Sequence, residues 1–165
     1  MDATYRLERG ITLTRLFDAP PDVVFDAWTR PEALGWFFNP DNPTDIPAEV
    51  DLRVGGEWRQ MMIINADNQY VTGGVYREIV PGKRLSFYWG ARGGWPALDP
   101  EKLEDSPVCT ISFTPRGSSA TEMRFRVLFP DHYSPQAVEE WLNCGMVPGW
   151  NMTIDRLVDR LGVPA

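Results

Sequence analysis

The chain has 165 residues, with 16 Lys and Arg against 23 Asp and Glu, a formal net charge of −7. That length suits one domain, spanning 1–165, which would bury about two-thirds of the surface its unfolded chain exposes. The acidic balance repels phosphate backbones and anionic membranes, so no nucleic-acid partner is expected; with one His and two Cys the chain is poor in zinc ligands, and no metal or cofactor is expected.

The opening Met1 to Arg6 carries no apolar h-region, so no secretory signal is expected. No window approaches the roughly 20 apolar residues of a membrane span, so no membrane insertion is expected. Cys109 and Cys144 lack redox or metal spacing, which fits a reducing, cytoplasmic setting. Ile11 to Phe17 is β-rich with partial alternation and reads as a strand. Pro21 suits a first helical turn, and Pro21 to Trp28 reads as a short helix. A second helix starts at Pro31, with Glu32 complementing its dipole, and runs to Phe38. Asn39 to Pro47 is a loop rich in Pro, Asn and Asp.

Six strand candidates follow: Ala48 to Arg53, Glu57 to Asn65, Gln69 to Val80, Lys83 to Trp89, Val108 to Pro115, and Ala120 to Phe129. The short turns between most of them, such as Gly55-Gly56, Asp67-Asn68 and Pro81-Gly82, imply antiparallel neighbours. Ser134-Pro135 supplies an N-cap hydroxyl and a Pro at the first helical position. Helical spacing of Val138, Trp141, Leu142, Gly145, Met146, Gly149, Thr153 and Leu157 carries the pattern to Leu161, where Gly162 stops it. Pro148 clashes with the carbonyl of Cys144 and predicts a kink or break there. The fold class is α+β. A curved seven-stranded antiparallel sheet wraps around a long C-terminal helix, with two short helices after the first strand. The long helix is the only element large enough to cover the sheet, and the two surfaces diverge at one end into a cavity.

The run Phe17-Asp18-Ala19-Pro20-Pro21-Asp22-Val23-Val24-Phe25-Asp26-Ala27-Trp28-Thr29-Arg30-Pro31-Glu32 resembles the opening of the activator-of-heat-shock-ATPase homologue family. That family belongs to the START-like, birch-pollen-allergen-like (SRPBCC) superfamily. Asp51 to Arg59, Gly74 to Leu85, and Gly149-Trp150 with Asp155-Arg156-Leu157 agree in order and spacing, so the resemblance covers roughly residues 10 to 162. It implies a helix-grip fold around a hydrophobic pocket. The superfamily is functionally mixed, with ligand carriers, cyclases and hydrolases, stress proteins and a co-chaperone domain, so the fold does not fix the function.

Period-2 alternation sorts each strand into two faces. The inward set reads Trp58, Gln60, Met62 and Ile64; then Gly74, Tyr76 and Glu78; Leu85, Phe87 and Trp89; Cys109, Ile111 and Phe113; and Met123, Phe125, Val127 and Phe129. Trp141 and Met146 face the sheet from the helix. The long connection after Gly90 either caps the cavity with Trp95 and Arg92, opposite Trp36, Phe37 and Phe38, or is a surface excursion. A buried carboxylate at Glu78 calls for a partner or a water-filled pocket, and Tyr76 offers a donor. His132, beside Asp131, is the third candidate acid or base.

These residues predict a binder of a small hydrophobic ligand, lipid-like or aromatic, in the cavity between sheet and C-terminal helix. The alternatives are a cyclase- or hydrolase-type enzyme using Glu78, Tyr76 or His132, and a co-chaperone-like module. For the last, 165 residues leave no room for the additional N-terminal domain associated with that activity, which makes a chaperone partner the weaker expectation. A homodimer through the exposed helix or a sheet edge is left open.

Overall fold

A computed structural model describes residues 9–37, 48–65 and 67–164, and the side chains of residues 35, 37, 64 and 65 lie outside that description. The expected loop from Asn39 to Pro47 falls outside the described residues. The chain runs β1 (Gly10–Phe17), α1 (Pro21–Thr29), a 3-10 turn (Pro31–Phe37), β2 (Glu49–Val50), β3 (Glu57–Asn65), β4 (Asn68–Val80) and β5 (Arg84–Trp89). It continues through a short 3-10 turn (Leu103–Asp105), β6 (Val108–Arg116), β7 (Ala120–Leu128), α2 (Pro135–Asn143) and α3 (Met146–Leu161). All seven strands form one antiparallel sheet in the order β1-β7-β6-β5-β4-β3-β2. The first strand thus pairs with the last, and the remainder meander outward from it. The expected strand from Ala48 to Arg53 shrinks to two residues, Glu49–Val50.

The inner face is a continuous apolar surface. Ile11, Leu85, Phe87, Cys109, Ile111, Met123, Phe125 and Val127 are almost fully buried in one cluster. The expectation that a single long helix covers this face needs correction on two counts. The first is that the short helical segments share the work. Val24, Phe25 and Trp28 of α1, with Leu34 and Trp36 of the 3-10 turn, are buried in the same cluster. Phe25 meets Phe113 edge-on at 5.7 Å, and Trp28 stacks on Phe125 at 5.9 Å. Trp36 is held by its indole N–H donating to the Ala27 carbonyl at 2.8 Å.

The second correction is that the C-terminal helix is broken, and the break lies upstream of Pro148. Helix α2 begins as expected, with the Ser134 hydroxyl accepting from the Ala137 amide at 3.1 Å and Pro135 next in line. It ends at Asn143, and Gly145 turns the chain with a φ of 98° before α3 starts. That backbone angle strains any residue with a Cβ, so the glycine sets the break. Pro148 sits in the first turn of α3, where a missing amide hydrogen leaves no helical bond unmade. Gly162 ends α3 as expected, its amide donating to the Val158 carbonyl at 2.7 Å.

The C-terminal half of α3 is fastened to β1. Arg15 donates to Asp155 at 3.0 Å and to Asn151 at 2.8 Å, and the Asp18 amide donates to the Gly162 carbonyl at 2.9 Å. Ile154 and Leu157 drive into the core from this half. Among the described residues, no helix is long and apolar enough to cross a membrane.

Candidate functional site

Where β1, β7 and β6 face α1 and the end of α3, large side chains fill the interlayer space. At the other side of the sheet the layers part into a cleft of about 470 Å³. Sheet residues Met62 and Ile63 of β3, Tyr70 and Thr72 of β4, and Trp89 of β5 form its floor. Gly145, Met146, Gly149, Trp150, Met152, Thr153 and Arg156 come from α3 and its cap. They recur every three to four residues, which places them on one helix face.

Glycine accounts for much of the opening. A Cβ built on Gly149 would meet nothing within 4 Å. Gly149 does not press the helix onto the sheet; its missing side chain leaves the space open. Its neighbour Trp150 does make the contact, with ring centroids 4.5 Å from Phe125 and 5.2 Å from Trp89. Thr72 is buried and fixes Trp89 by accepting its indole N–H at 3.3 Å.

The long connection after β5 closes one flank. Its backbone runs alongside β4, with the Gly90 amide donating to Gly73 at 2.9 Å and the Trp95 amide to Val71 at 2.8 Å. Gly94 permits this docking, since a Cβ there would lie 2.1 Å from the Val71 carbonyl oxygen. Trp95 thereby reaches the cleft, its ring edge-on to Trp89 at 5.4 Å and to Tyr70 at 6.0 Å, while staying 41% exposed. Trp141 of α2 backs this wall, 5.9 Å from Trp89 and 6.1 Å from Trp95, without facing the opening. Arg92, expected beside Trp95 at the cap, instead forks onto Glu57 at 3.0 and 2.9 Å.

Of the residues expected to line the cavity, the structure brings Met62, Trp89, Trp95 and Met146 together around the cleft. It sets Trp36, Trp58, Gln60, Tyr76, Phe87, Phe113, Met123 and Phe125 in the packed core instead. Phe113 and Phe125 lie under Phe25 and Trp28 of α1. Gln60 shows the seal directly, donating its amide to the Leu34 carbonyl at 3.2 Å. The side chain of Phe37 lies outside the described residues.

The three expected acid–base candidates stand apart. The pairing register shifts between Tyr76 and Glu78, and this bulge turns Glu78 to the outer face. There it is 45% exposed and pairs with Arg84 at 3.2 Å. Tyr76 is only 2% exposed, and burial pushes its phenol well above its ordinary value. His132 is on the surface, 2.8 Å from Asp105. Acid–base turnover needs two titratable groups reaching one substrate, and these three do not share a pocket. The residues expected at the cavity did not include Ile63, Tyr70, Thr72, Trp150, Met152 and Arg156, which line it. The last three lie on α3 next to Gly149 and Thr153, which helical spacing places on one face.

Comparison with known proteins agrees with this architecture. The family described as activator of Hsp90 ATPase homolog 1-like protein matches residues 18–162. The chain is similar to a solved protein from Mycobacterium smegmatis at 19% identity and a TM-score of 0.73, over 96% of this chain and 93% of that one. A Chromobacterium violaceum protein is 25% identical with a TM-score of 0.63, over 94% and 99%. An Hsp90 activator from Plasmodium falciparum is 18% identical with a TM-score of 0.59, over 91% and 96%. No curated protein matches the chain. The helix-grip arrangement, an open seven-stranded sheet closed by a C-terminal helix, is shared with these structures.

Proposed function

We propose, for a chain that belongs to the activator of Hsp90 ATPase homolog 1-like protein family, that it binds a small hydrophobic ligand, lipid-like or aromatic, in the cleft between β3–β5 and the first turns of α3. One observation carries this reading. Three tryptophans and three methionines surround an opening of about 470 Å³ that the described side chains leave unfilled, a size within the usual range of small-molecule sites. Methionine adapts to varied apolar shapes, and tryptophan gives large flat contact area. The reading places the protein in a reducing cytoplasm, consistent with two free cysteines, Cys109 buried and Cys144 exposed.

Thermal shift with a panel of hydrophobic compounds tests it, using the wild type and Gly149→Phe. The added ring enters open space at Gly149. The reading expects compounds that raise Tm of the wild type and leave the variant's Tm unchanged. Equal stabilisation of both proteins would place binding elsewhere.

A further inference from the structure

The floor of the cleft ends against two buried polar side chains, Thr72 at 4% exposure and Gln60 at 2%. Thr72 of β4 lines the cleft. Among the described residues its hydroxyl oxygen accepts the Trp89 indole N–H at 3.3 Å and finds no acceptor for its own proton. Gln60 of β3 stands directly opposite Thr72 in the strand register, which sets their Cβ atoms about 5 Å apart on the inner face. Met62, two residues further along β3, lines the cleft on that same face. The Gln60 amide nitrogen donates to the Leu34 carbonyl at 3.2 Å, and this fixes which end of the amide is nitrogen. Its oxygen, Oε1, is buried without a hydrogen-bond partner among the described residues. One unused donor and one unused acceptor therefore stand side by side where the cleft meets the core. A buried polar atom left unpaired costs free energy that a partner returns. A hydroxyl is the smallest group that accepts and donates at once.

We infer that the ligand carries a neutral hydroxyl, phenolic or alcoholic, at the end that enters deepest. That hydroxyl accepts from Thr72 and donates to Gln60 Oε1, while the apolar body lies against Trp89, Trp150 and Gly149. This inference rests on the pocket reading above and adds the chemistry of the ligand's polar end. A ketone or ether would satisfy Thr72 alone, and a carboxylate would set a second acceptor against the Gln60 oxygen.

Calorimetric titration of the full chain at neutral pH, where a phenol stays protonated, tests it with three naphthalenes of similar shape: 2-naphthol, 2-methoxynaphthalene and 2-methylnaphthalene. The naphthol is expected to bind about tenfold tighter than the methyl compound, the scale of one or two net hydrogen bonds, with the methoxy compound between them. Thr72→Val should erase the naphthol's advantage and leave the methyl compound within about twofold of its wild-type affinity. Thr72→Ser keeps the hydroxyl and should keep the advantage, which separates a lost hydrogen bond from a damaged fold. Gln60→Met should bring the naphthol down to the level of the methoxy compound. Equal binding of naphthol and methyl compound by the wild type, a naphthol advantage that survives in Thr72→Val, or a Thr72→Val loss shared equally by all three compounds overturns the inference and leaves the pocket reading standing. Binding of none of the three to the wild type, or equal binding by Gly149→Phe, removes the pocket reading and the inference together.

Discussion

The two halves of the space between sheet and helices are built from the same elements and come out opposite. Under β1, β7 and β6, Phe17, Phe25, Met123, Phe125, Ile154 and Leu157 close the gap completely. Above β3 to β5, the earlier turns of the same helix offer Gly149 and Thr153, and Met152 is 61% exposed. Three residues along one helix separate Leu157 from Ile154, and five more separate that residue from Gly149. Side-chain size along α3, more than sheet curvature, decides which half is core and which is cleft. Protein interiors are packed near crystal density, so an apolar gap of this volume persists only where residues too small to fill it are placed.

The sharpest way to break this contrast is to truncate one residue on each side. Phe125→Ala should cost about 3–5 kcal/mol, the usual loss for a core aromatic. Met152→Ala, in the open half, should stay within about 0.5 kcal/mol. Urea unfolding of both variants reads the difference, and similar losses would mean the cleft is packed core.

A smaller effect is expected at Tyr76, the edge of the filled region. Its hydroxyl is buried with no hydrogen-bond partner among the described residues. Tyr76→Phe should therefore raise stability by about 1 kcal/mol at neutral pH. Burial holds the phenol neutral in the folded protein, whereas in the unfolded chain it ionises near its ordinary value of 10.0. The folded pKa is the higher one, so the contribution is complete below pH 10 and is lost as pH rises above it. Removing the group should make the alkaline decline shallower in denaturation curves taken across that window. A parallel decline would mean the phenol ionises in the folded state.

At Gly149 the change should be smaller and favourable. Gly149→Leu relieves a helical glycine by roughly 0.5–1 kcal/mol while filling the cleft, so ligand binding falls as Tm rises. A drop in Tm would show that the space is already occupied by packed atoms. Least of all, Glu78→Gln removes an exposed ion pair and should move stability by less than about 0.5 kcal/mol, with ligand affinity unchanged. Lost binding in that variant would return Glu78 to the site.

The strands were legible because antiparallel neighbours leave local marks: alternation along each strand and turn residues between them. Trp89 and Met62 were legible as inward residues for the same reason. What failed were the non-local features. The bulge after Tyr76 reverses the alternation and carries Glu78 outward, and no residue nearby announces it. The cover over Gln60 and Phe113 comes from Leu34 and Phe25, and sequence spacing does not reveal which strand a short helix lies on. Gly145 was read as a small residue in one helix, where its positive φ ends a helix instead. Arg156 escaped notice because attention to apolar periodicity passes over a charged residue among apolar neighbours.

The most direct test is a crystal structure of the chain grown with a small aromatic hydrophobic compound such as naphthalene. The account predicts ring density in the cleft between Trp89 and Gly149. A cleft closed by its own side chains, or ligand bound on another surface, would contradict it.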